Sequence, residues 1–519
     1  MKKNLISYMM AAVAAATLSA CSLEETMESN VDQYQFYKNK TEIVAGLNGC
    51  YIPIRAIYNA YAFEIMTEGC TDVMYIPSGT QDAQLDVSPA NPRVGNTVWQ
   101  QGYTAVRNAN YCIAGIERSN LSETDKKPLL AEAKTLRAFA YYLLTCVFGD
   151  VPFYEDVVDS PEKMKRIQRL PRMSAFDTRK QMVDELVACV GDMKQGRAYD
   201  VDGQRVGASC AYMLIGKMAM WNKDWETARD AMLKLVEFYG PLTNASYPIS
   251  DNWWSVKNTP ESIFEIQHTY TAGGLTVTAT VCAAMMPYSK KAIVDENGET
   301  VGYLFDGVPV PELGDLVTAY APYRPNVYFY QGLMPLGGGD LRAETMMVRD
   351  WPIGSKTYFS SVGSSGRPFM GPRFWCFGMT STYDSNNYPV FRYADAVLML
   401  SECYLELNDT DNYLKYLNQV KERAGITPAV AQRTKIRMLD ELQKERAREL
   451  LGEFQRKFDL VRWGIWYKAT FENTDYAKLK EKMRPCHEYY PIPDTEVGLS
   501  GGALDNKAYD AYIDYEVAL

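Results

Sequence analysis

The chain has 519 residues and a formal net charge of -10, from 54 lysines and arginines against 64 aspartates and glutamates. Binding to nucleic acid requires clustered basic side chains that neutralise phosphates, so this balance excludes a polyanion as the partner. The two histidines, His268 and His487, lie in no motif of a metal site or of a Ser-His-Asp hydrolase, and we predict neither a cofactor nor a bound metal.

The N-terminus has the layout of a secretory signal, because Lys2 and Lys3 precede an uncharged apolar stretch at residues 5–20. That stretch is shorter than the roughly 20 residues of a membrane-spanning helix. The letters LSAC, which end at Cys21, resemble the lipobox of bacterial lipoproteins, in which the chain is cut before the cysteine and the cysteine is acylated. We predict a lipid anchor at Cys21. An ordinary signal peptide with a chance cysteine is the alternative.

The spacing of the cysteines indicates that most of them are buried, and the large number of tyrosines is typical of a protein that binds sugars or peptides. The remaining cysteines are scattered from Cys50 to Cys486 without a CxxC pair, so we predict no disulfide framework and expect most of them to be buried apolar residues. The chain has 37 tyrosines. A tyrosine ring offers a flat apolar face and a polar tip, which suits stacking on sugars or peptides, although most of these rings are expected at helix interfaces.

Apolar residues spaced three and four apart predict a mainly helical protein. Trp99 falls on such a stripe and is assigned to helix packing, and a break is predicted at Lys127-Pro128. Trp225 and Ala228 fall where a tetratricopeptide-like repeat places its aromatic and its small residue, and helix pairs of this kind must stack to bury their apolar faces. The predicted helices span residues 96–120, 129–148, 176–194, 208–221, 224–239, 392–424 as a helix-turn-helix, and 435–464.

Residues 241–390 differ from the helical blocks because they are rich in Gly, Pro, Ser and aromatic residues and show little helical periodicity. Their apolar content is too high for disorder, and long ordered loops are often functional. We predict an irregular subdomain with a few short strands, such as residues 262–268, packed on the helical scaffold.

The helix predicted at 435–464 has the strongest pattern in the chain. Its carboxylates each have an arginine at helical spacing, as in Glu449, Glu453 and Arg456. A carboxylate pair for acid-base chemistry and an arginine clamp for anions are possible functional interpretations. A salt-bridged helix packed against its neighbours is favoured, because no carboxylate lacks a basic partner.

Several stretches together resemble the SusD/RagB family of nutrient-binding lipoproteins of Bacteroidetes-type outer membranes. They occur in the family's order and cover nearly the whole chain. Gly452 and Lys457 depart from the family pattern within a helix, which concerns the fold and not the functional class. The matching stretches are the lipobox at Cys21, WQQGYTAVRNAN, AEAKTLRAFAYYLLTCVFGDVPF, FRYADAVLMLSECYLEL, LNQVKERAG, ERARELLGEFQRKFDLVRWG and YYPIPDTEV.

The resemblance implies a mainly α fold, in which tetratricopeptide-like helix pairs form a right-handed scaffold beside a loop-rich irregular subdomain with a few short strands. It also implies a protein without catalysis that is anchored in the outer membrane through acylated Cys21 and faces outwards. Such a protein captures a glycan for a TonB-dependent SusC-like transporter. The expected divisions are a signal peptide at 1–20, a tether with ligand-side loops at 21–95, helical scaffold at 96–240, the irregular subdomain at 241–390, and C-terminal scaffold at 391–519.

Ligand contacts are expected in two regions, because family binding sites lie in loops of the N-terminal part and of the irregular subdomain. Sugar C-H faces stack on rings while polar side chains bind the hydroxyls. For each single residue, packing within a loop is the competing interpretation. The candidate ligand residues are Asp72, Tyr75, Gln81 and Asp82 in the first region, and Tyr288, Tyr303, Tyr320, Tyr328 and Tyr330 in the second.

Other classes stay open from the sequence. A peptide-binding member of the same family, a surface glycoside hydrolase with two facing carboxylates, and a helical-repeat adaptor are the alternatives. The stretch DTDNYL, which starts at Asp409, begins like a calcium loop. Leu414 and Val420 occupy the positions that need glycine and glutamate, so a turn between helices is predicted.

Overall fold

The structure is a computed structural model of the chain. It describes twelve stretches, which are residues 36–59, 61–76, 81–249, 253–269, 281–285, 292–294, 296–298, 300–303, 323–353, 356–360, 367–376 and 385–510.

Helices dominate the described residues and stack in sequence order. Helix α1 packs on α2, α2 on α3, α3 on α5, α5 on α6, α6 on α7, α7 on α8 and α8 on α9, which is the arrangement of stacked helix pairs. The main helices are α1 (Lys40–Tyr58), α2 (Val94–Arg118), α3 (Glu123–Phe148), α4 (Pro161–Gln168), α5 (Ala175–Cys189), α6 (Ala208–Trp221), α7 (Trp225–Tyr239), α8 (Tyr393–Glu406), α9 (Thr410–Arg423), α10 (Lys435–Glu449), α11 (Arg456–Arg462), α12 (Trp466–Asn473), α13 (Ala477–Lys482) and α14 (Asp494–Leu499).

Capping side chains explain where several helices begin. The Ser122 side chain accepts a hydrogen bond from the Asp125 N–H and caps α3, which begins at Glu123 and continues through Pro128, so the break predicted at Lys127-Pro128 is wrong. The first turns of α3 are exposed, and the buried residues from Leu129 onwards hold the helix in place despite the proline. Asp409 caps α9 in the same way by accepting from the Asn412 N–H at 3.0 Å, which confirms the predicted turn.

The single helix predicted at 435–464 is wrong as well, because α10 ends at Glu449 and α11 begins at Arg456. Gly452 and Phe454 lie between them with φ angles of 76° and 57°, in the left-handed region that ends a helix. A Cβ on Gly452 would lie 2.6 Å from the ring of Phe374, so only glycine fits this close approach.

The charges on these helices are salt-bridged, as predicted, but they are buried. Glu449 is the hub: its carboxylate contacts Arg342 and Arg392 at 2.7 Å each, and also Arg423. Burial alone would raise the pKa of Glu449, but these arginines outweigh burial and hold that pKa well below its usual range. The buried charge cluster comprises Arg342, Arg392, Arg423, Glu261, Glu445, Glu449 and Glu453.

The strands are short and lie mostly in the irregular subdomain. They form one four-stranded antiparallel sheet in the order β6-β5-β10-β9 and the two-stranded pairs β1-β7, β8-β11, β4-β12 and β2-β3. The strand predicted at 262–268 is present as β4. The strands are β1 (Met74–Tyr75), β2 (Val151–Pro152), β3 (Arg172–Met173), β4 (Ser262–Ile266), β5 (Ala292–Val294), β6 (Thr300–Tyr303), β7 (Arg324–Pro325), β8 (Met347–Val348), β9 (Asp350–Ile353), β10 (Lys356–Ser360), β11 (Phe369–Met370) and β12 (Tyr388–Arg392).

One hydrophobic core runs through the scaffold and into the subdomain. It takes in Trp99, which packs edge-to-face on Phe148 and confirms the packing role predicted for this tryptophan. The predicted fold class, helix pairs beside an irregular subdomain with short strands, is confirmed. Among the residues described, no helix is both long enough and apolar enough to cross a membrane.

Candidate functional site

A short segment, residues 65–76, carries Asp72 and Tyr75 of the first predicted ligand region and is bonded to the C-terminal helices. It starts as one turn of π-helix at Ile65–Gly69, in which the buried Glu68 carboxylate accepts hydrogen bonds from the N–H groups of Gly452 and Phe454, both at 2.6 Å. Burial raises the pKa of Glu68 to about 8, although these two bonds act in the opposite direction. The break between α10 and α11 thus forms a docking point for this segment.

Asp72, a predicted ligand residue, lies in the same segment and is 2% exposed. Its two carboxylate oxygens accept from Arg456 Nε at 2.9 Å and from the Arg456 terminal nitrogen at 2.7 Å. Its backbone oxygen accepts from the Asn326 amide. We therefore correct the predicted role of Asp72: its carboxylate joins the segment to α11, and neither oxygen faces a ligand surface.

Tyr75 lies at the far end of the segment, where the chain reaches the surface. Strand β1 pairs with β7, placing Tyr75 opposite Arg324, and the N–H of Asn326 donates to the Val73 carbonyl at 2.9 Å. The Tyr75 ring is half-buried, and its inner side packs edge-to-face on Tyr476 with 5.7 Å between ring centroids. This backing fixes the orientation of the ring.

Arg367 joins Tyr75 to Tyr330, another predicted ligand residue. Its guanidinium carbon lies 4.0 Å from the centroid of the Tyr75 ring and 5.7 Å from that of Tyr330, both within cation-π range. The same guanidinium donates to the Pro325 carbonyl at 2.9 Å and forms an ion pair with Asp475. We call Tyr75, Tyr330, Tyr476, Arg367 and Asp475 the ring cluster.

The other predicted ligand residues within the described stretches have separate environments. Gln81 is exposed, and the Asp82 carboxylate, whose pKa is raised by burial, accepts from the Val94 N–H at the start of α2 at 3.5 Å. Tyr328 is half-buried on a π-helical turn at Tyr328–Leu333, and burial followed by the charge of Asp72 raises its pKa. The ligand roles of these three residues stay predictions.

Four predicted residues cannot be located fully. Cys21, Tyr288 and Tyr320 lie outside the described residues. Tyr303 ends strand β6, and only its backbone is described.

Sequence reasoning missed Arg367, Asp475 and Tyr476. Arg367 and Asp475 are 108 positions apart, so no local periodicity could have paired them. The segment GRPFMGPRF, which contains Arg367, is rich in Gly and Pro, and the sequence predicts only that it belongs to the loop-rich subdomain. Tyr476 follows the α12 helix and looks like one more aromatic residue at a helix end.

The ring cluster has the chemical parts of a sugar platform. The rings of Tyr75 and Tyr330 are partly buried, and the Arg367 guanidinium lies over them with Asp475 beside it. The accessible parts of the rings can contact a sugar, while the guanidinium and the carboxylate can donate to and accept from hydroxyl groups. Within the described stretches, no group of three His, Cys, Asp or Glu residues could hold a metal ion. Asp475, the carboxylate of the cluster, is paired with Arg367.

A separate cleft of about 320 Å³ opens beside α2 and α4. It is lined by Trp99, Tyr103 and Arg107 of α2 and by the exposed apolar side chains of Met164 and Leu499. None of the predicted ligand residues lines this cleft, which makes it the rival location for a binding site.

Comparison with known proteins assigns the fold and then the family. A family model described as SusD family matches residues 378–509, and one described as starch-binding associating with outer membrane matches residues 23–199. The SusD-like protein P25 of Formosa agariphila is 22% identical to this chain, over 94% of this chain and 95% of its own length.

Solved structures agree with this assignment. Surface glycan-binding protein A from Bacteroides uniformis superimposes with a TM-score of 0.68 at 20% identity, covering 91% of this chain and 100% of its own. Surface glycan-binding protein A from Bacteroides thetaiotaomicron, solved in complex with laminarihexaose, gives a TM-score of 0.66 at 17% identity, with coverage of 91% and 100%.

The fold is therefore that of a right-handed, tetratricopeptide-like helical protein with a loop-rich subdomain. One SusD-type family model matches residues 23–199 and another matches residues 378–509, and a relative named SusD-like aligns over 94% of this chain, so the chain is similar to the SusD/RagB family along most of its length.

Proposed function

We propose that the protein is a non-catalytic glycan-binding protein of the outer membrane and that the ring cluster is its binding site. The observation that carries this proposal is the pair of partly buried rings, Tyr75 and Tyr330, arranged about one guanidinium. Support also comes from the family description of starch binding at the outer membrane and from the laminarihexaose complex of a structural neighbour.

The fixed position of Tyr75 also supports a role in binding. Tyr75 lies on a segment whose buried acids, Glu68 and Asp72, are bonded to the C-terminal helices. A platform that is already ordered loses little conformational entropy when it binds, which favours affinity. The close carboxylate pairs around Glu449 are buried and matched by arginines, so they do not offer the facing acid and base that a glycoside hydrolase needs.

The anchor and the transporter complete the proposal. Acylation of Cys21 would hold the protein at the outer membrane, facing outwards, where it would pass its glycan to a TonB-dependent SusC-like transporter. Two or more acyl chains hold a protein at a membrane stably, whereas one chain does so marginally.

Affinity gel electrophoresis against plant, host and microbial polysaccharides, laminarin among them, tests the proposed function. We expect at least one polysaccharide to retard the protein, with no reducing sugar released on prolonged incubation. Release of reducing sugar would identify a hydrolase. Binding to a peptide library without any glycan affinity would identify the peptide-binding alternative, and affinity for neither class would favour an adaptor.

A further inference from the structure

Two buried cysteines on neighbouring helices face each other. The Sγ atoms of Cys50 on α1 and Cys112 on α2 lie 3.6 Å apart, and both side chains are 0% exposed. Among the described cysteines, this is the one thiol–thiol contact, and all of them are free thiols. The hydroxyl of Tyr37 lies 3.5 Å from Cys112 Sγ and covers the pair.

The two sulfurs are already in van der Waals contact. A disulfide requires sulfurs about 2.05 Å apart, so the Sγ atoms must approach each other from the observed 3.6 Å. Helices α1 and α2 pack closely on each other. Export to the cell surface, the location proposed above, would place the pair in an oxidising environment, where disulfides persist.

We propose that Cys50 and Cys112 form an intramolecular disulfide in the exported protein, with a thiol–disulfide oxidoreductase of the cell envelope as oxidant. The proposal rests on the proposed outer-membrane location but not on the glycan.

The disulfide forms in two thiol–disulfide exchange steps. The thiolate of one cysteine attacks one sulfur of the oxidant's disulfide, forms a mixed disulfide and releases one oxidant thiolate. The thiolate of the other cysteine then attacks the sulfur of the first and releases the second oxidant thiolate. The chain loses two protons and two electrons, and the oxidant becomes a dithiol.

The surroundings distinguish the two sulfurs. The hydrogen bond from Cys50 lowers the pKa of Cys112, with help from Tyr37 and against the effect of burial. The bond to Cys112 and burial raise the pKa of Cys50. The nearby charges are those of Glu132 and Arg205, which are paired with each other. Both sulfurs are 0% exposed in the folded protein, so the exchange takes place while the exported chain folds, before helices α1 and α2 close over the pair.

The disulfide would tie together parts of the molecule that matter for binding. The closed loop, residues 50–112, contains the whole segment 65–76 and Tyr75. Helix α1 is also the first described helix after the predicted anchor at Cys21. The bond would connect the anchor-side helix to the scaffold and restrict the unfolded chain, which stabilises the fold.

Thiol trapping in the full chain tests this proposal. The protein is expressed in a bacterium that exports it, alkylated at harvest under denaturing conditions, recovered from the envelope fraction and digested for mass spectrometry. We expect the Cys50 and Cys112 peptides to be linked and to take up the reagent only after reduction. Cys210, a buried free thiol on α6, is expected to be alkylated without reduction.

Cysteine-to-serine variants test whether the link joins Cys50 to Cys112. In Cys50→Ser, Cys112 is expected to be alkylated directly, and a reductant should lower the unfolding temperature of the wild type but not that of this variant. Cys486→Ser removes the half-exposed cysteine and should leave the link intact. Direct alkylation of Cys50 and Cys112 in wild-type protein from the envelope fraction would overturn the proposal. Glycan binding, measured on the same preparation, reports separately on the proposed function.

Discussion

The buried charge cluster and the ring cluster use the same pairing of arginine with carboxylate for different purposes. In the buried charge cluster, Arg392 and Glu449 are each 1% exposed in their side chains, and every charged group is surrounded by partners. In the ring cluster, Arg367 is 11% exposed in its side chain and is paired with Asp475, whose side chain is 28% exposed.

The comparison shows that solvent access separates a framework from a binding site. A fully buried ion pair is costly to break, because the remaining partner stays charged and desolvated. A partly exposed pair between tyrosine rings keeps free edges that hydroxyl groups of a ligand can reach. Changes in the first cluster should therefore affect stability, and changes in the second should affect binding.

The largest effect on stability is expected for Arg392→Met. The substitution leaves Glu261, Glu449 and Glu453 short of a partner, so we expect a loss of about 3–5 kcal/mol in the free energy of unfolding, measured by urea denaturation. The control, Arg166→Met, removes a side chain that is 59% exposed and paired with Asp156, and should cost less than about 1 kcal/mol. Equal losses in the free energy of unfolding for Arg392→Met and Arg166→Met would show that the buried charge cluster is no more important for stability than an exposed ion pair.

Gly452→Ala should have the next largest effect. A side chain here combines backbone strain at positive φ with a clash against Phe374, for an expected cost of about 2–4 kcal/mol. Gly464 also has a positive φ, of 72°, but has nothing within 4 Å of its Cβ position. Gly464→Ala should therefore cost only about 1–2 kcal/mol in the same urea experiment. A Gly452→Ala cost no larger than that of Gly464→Ala would show that the approach of Phe374 is not tight.

The pH dependence of the free energy of unfolding that comes from the buried His268 is expected to be smaller. Burial, with help from nearby Arg55 and Lys257, lowers the pKa of His268 to about 4. The unfolded chain binds a proton near pH 6.5 and the folded chain only near pH 4, so this histidine makes the protein less stable as the pH falls through that window.

His268→Gln removes that contribution. Because one pKa unit corresponds to about 1.4 kcal/mol, the stability difference between wild type and variant should shrink by about 2–3 kcal/mol between pH 7 and pH 4. Urea denaturation at a series of pH values measures this difference. A difference that stays constant with pH would mean that His268 keeps its ordinary pKa in the folded protein.

The helices could be predicted from the sequence because their periodicity is local. The helix predicted at 208–221 has the observed bounds, and α7 begins one residue after the predicted start. The break at Gly452 was missed because it depends on the Glu68 carboxylate and on the Phe374 ring, which are distant in sequence.

The candidate site was predicted only in part. Tyr75 and Tyr330 came from two different regions of the sequence, and the fold brings them to one guanidinium. Asp72 followed a local pattern and turned out to be buried against Arg456. Arg367 could not be found, because its role depends on three-dimensional contacts with Tyr75 and Asp475.

Mapping the ligand site by affinity is the most direct test of the central claim. Isothermal titration with the polysaccharide that is retained best would compare wild type with Tyr75→Ala, Arg367→Ala and the two matched controls, Tyr199→Ala and Arg107→Ala. Tyr199 is 63% exposed outside the ring cluster, and Arg107 lies on the wall of the rival cleft.

We expect each ring-cluster variant to weaken binding about tenfold or more, equivalent to about 1.4 kcal/mol, and to change the free energy of unfolding by less than about 1 kcal/mol. The controls should bind as the wild type does. Unchanged affinity in both ring-cluster variants, with loss of binding in Arg107→Ala, would contradict the account and place the ligand in the cleft beside α2.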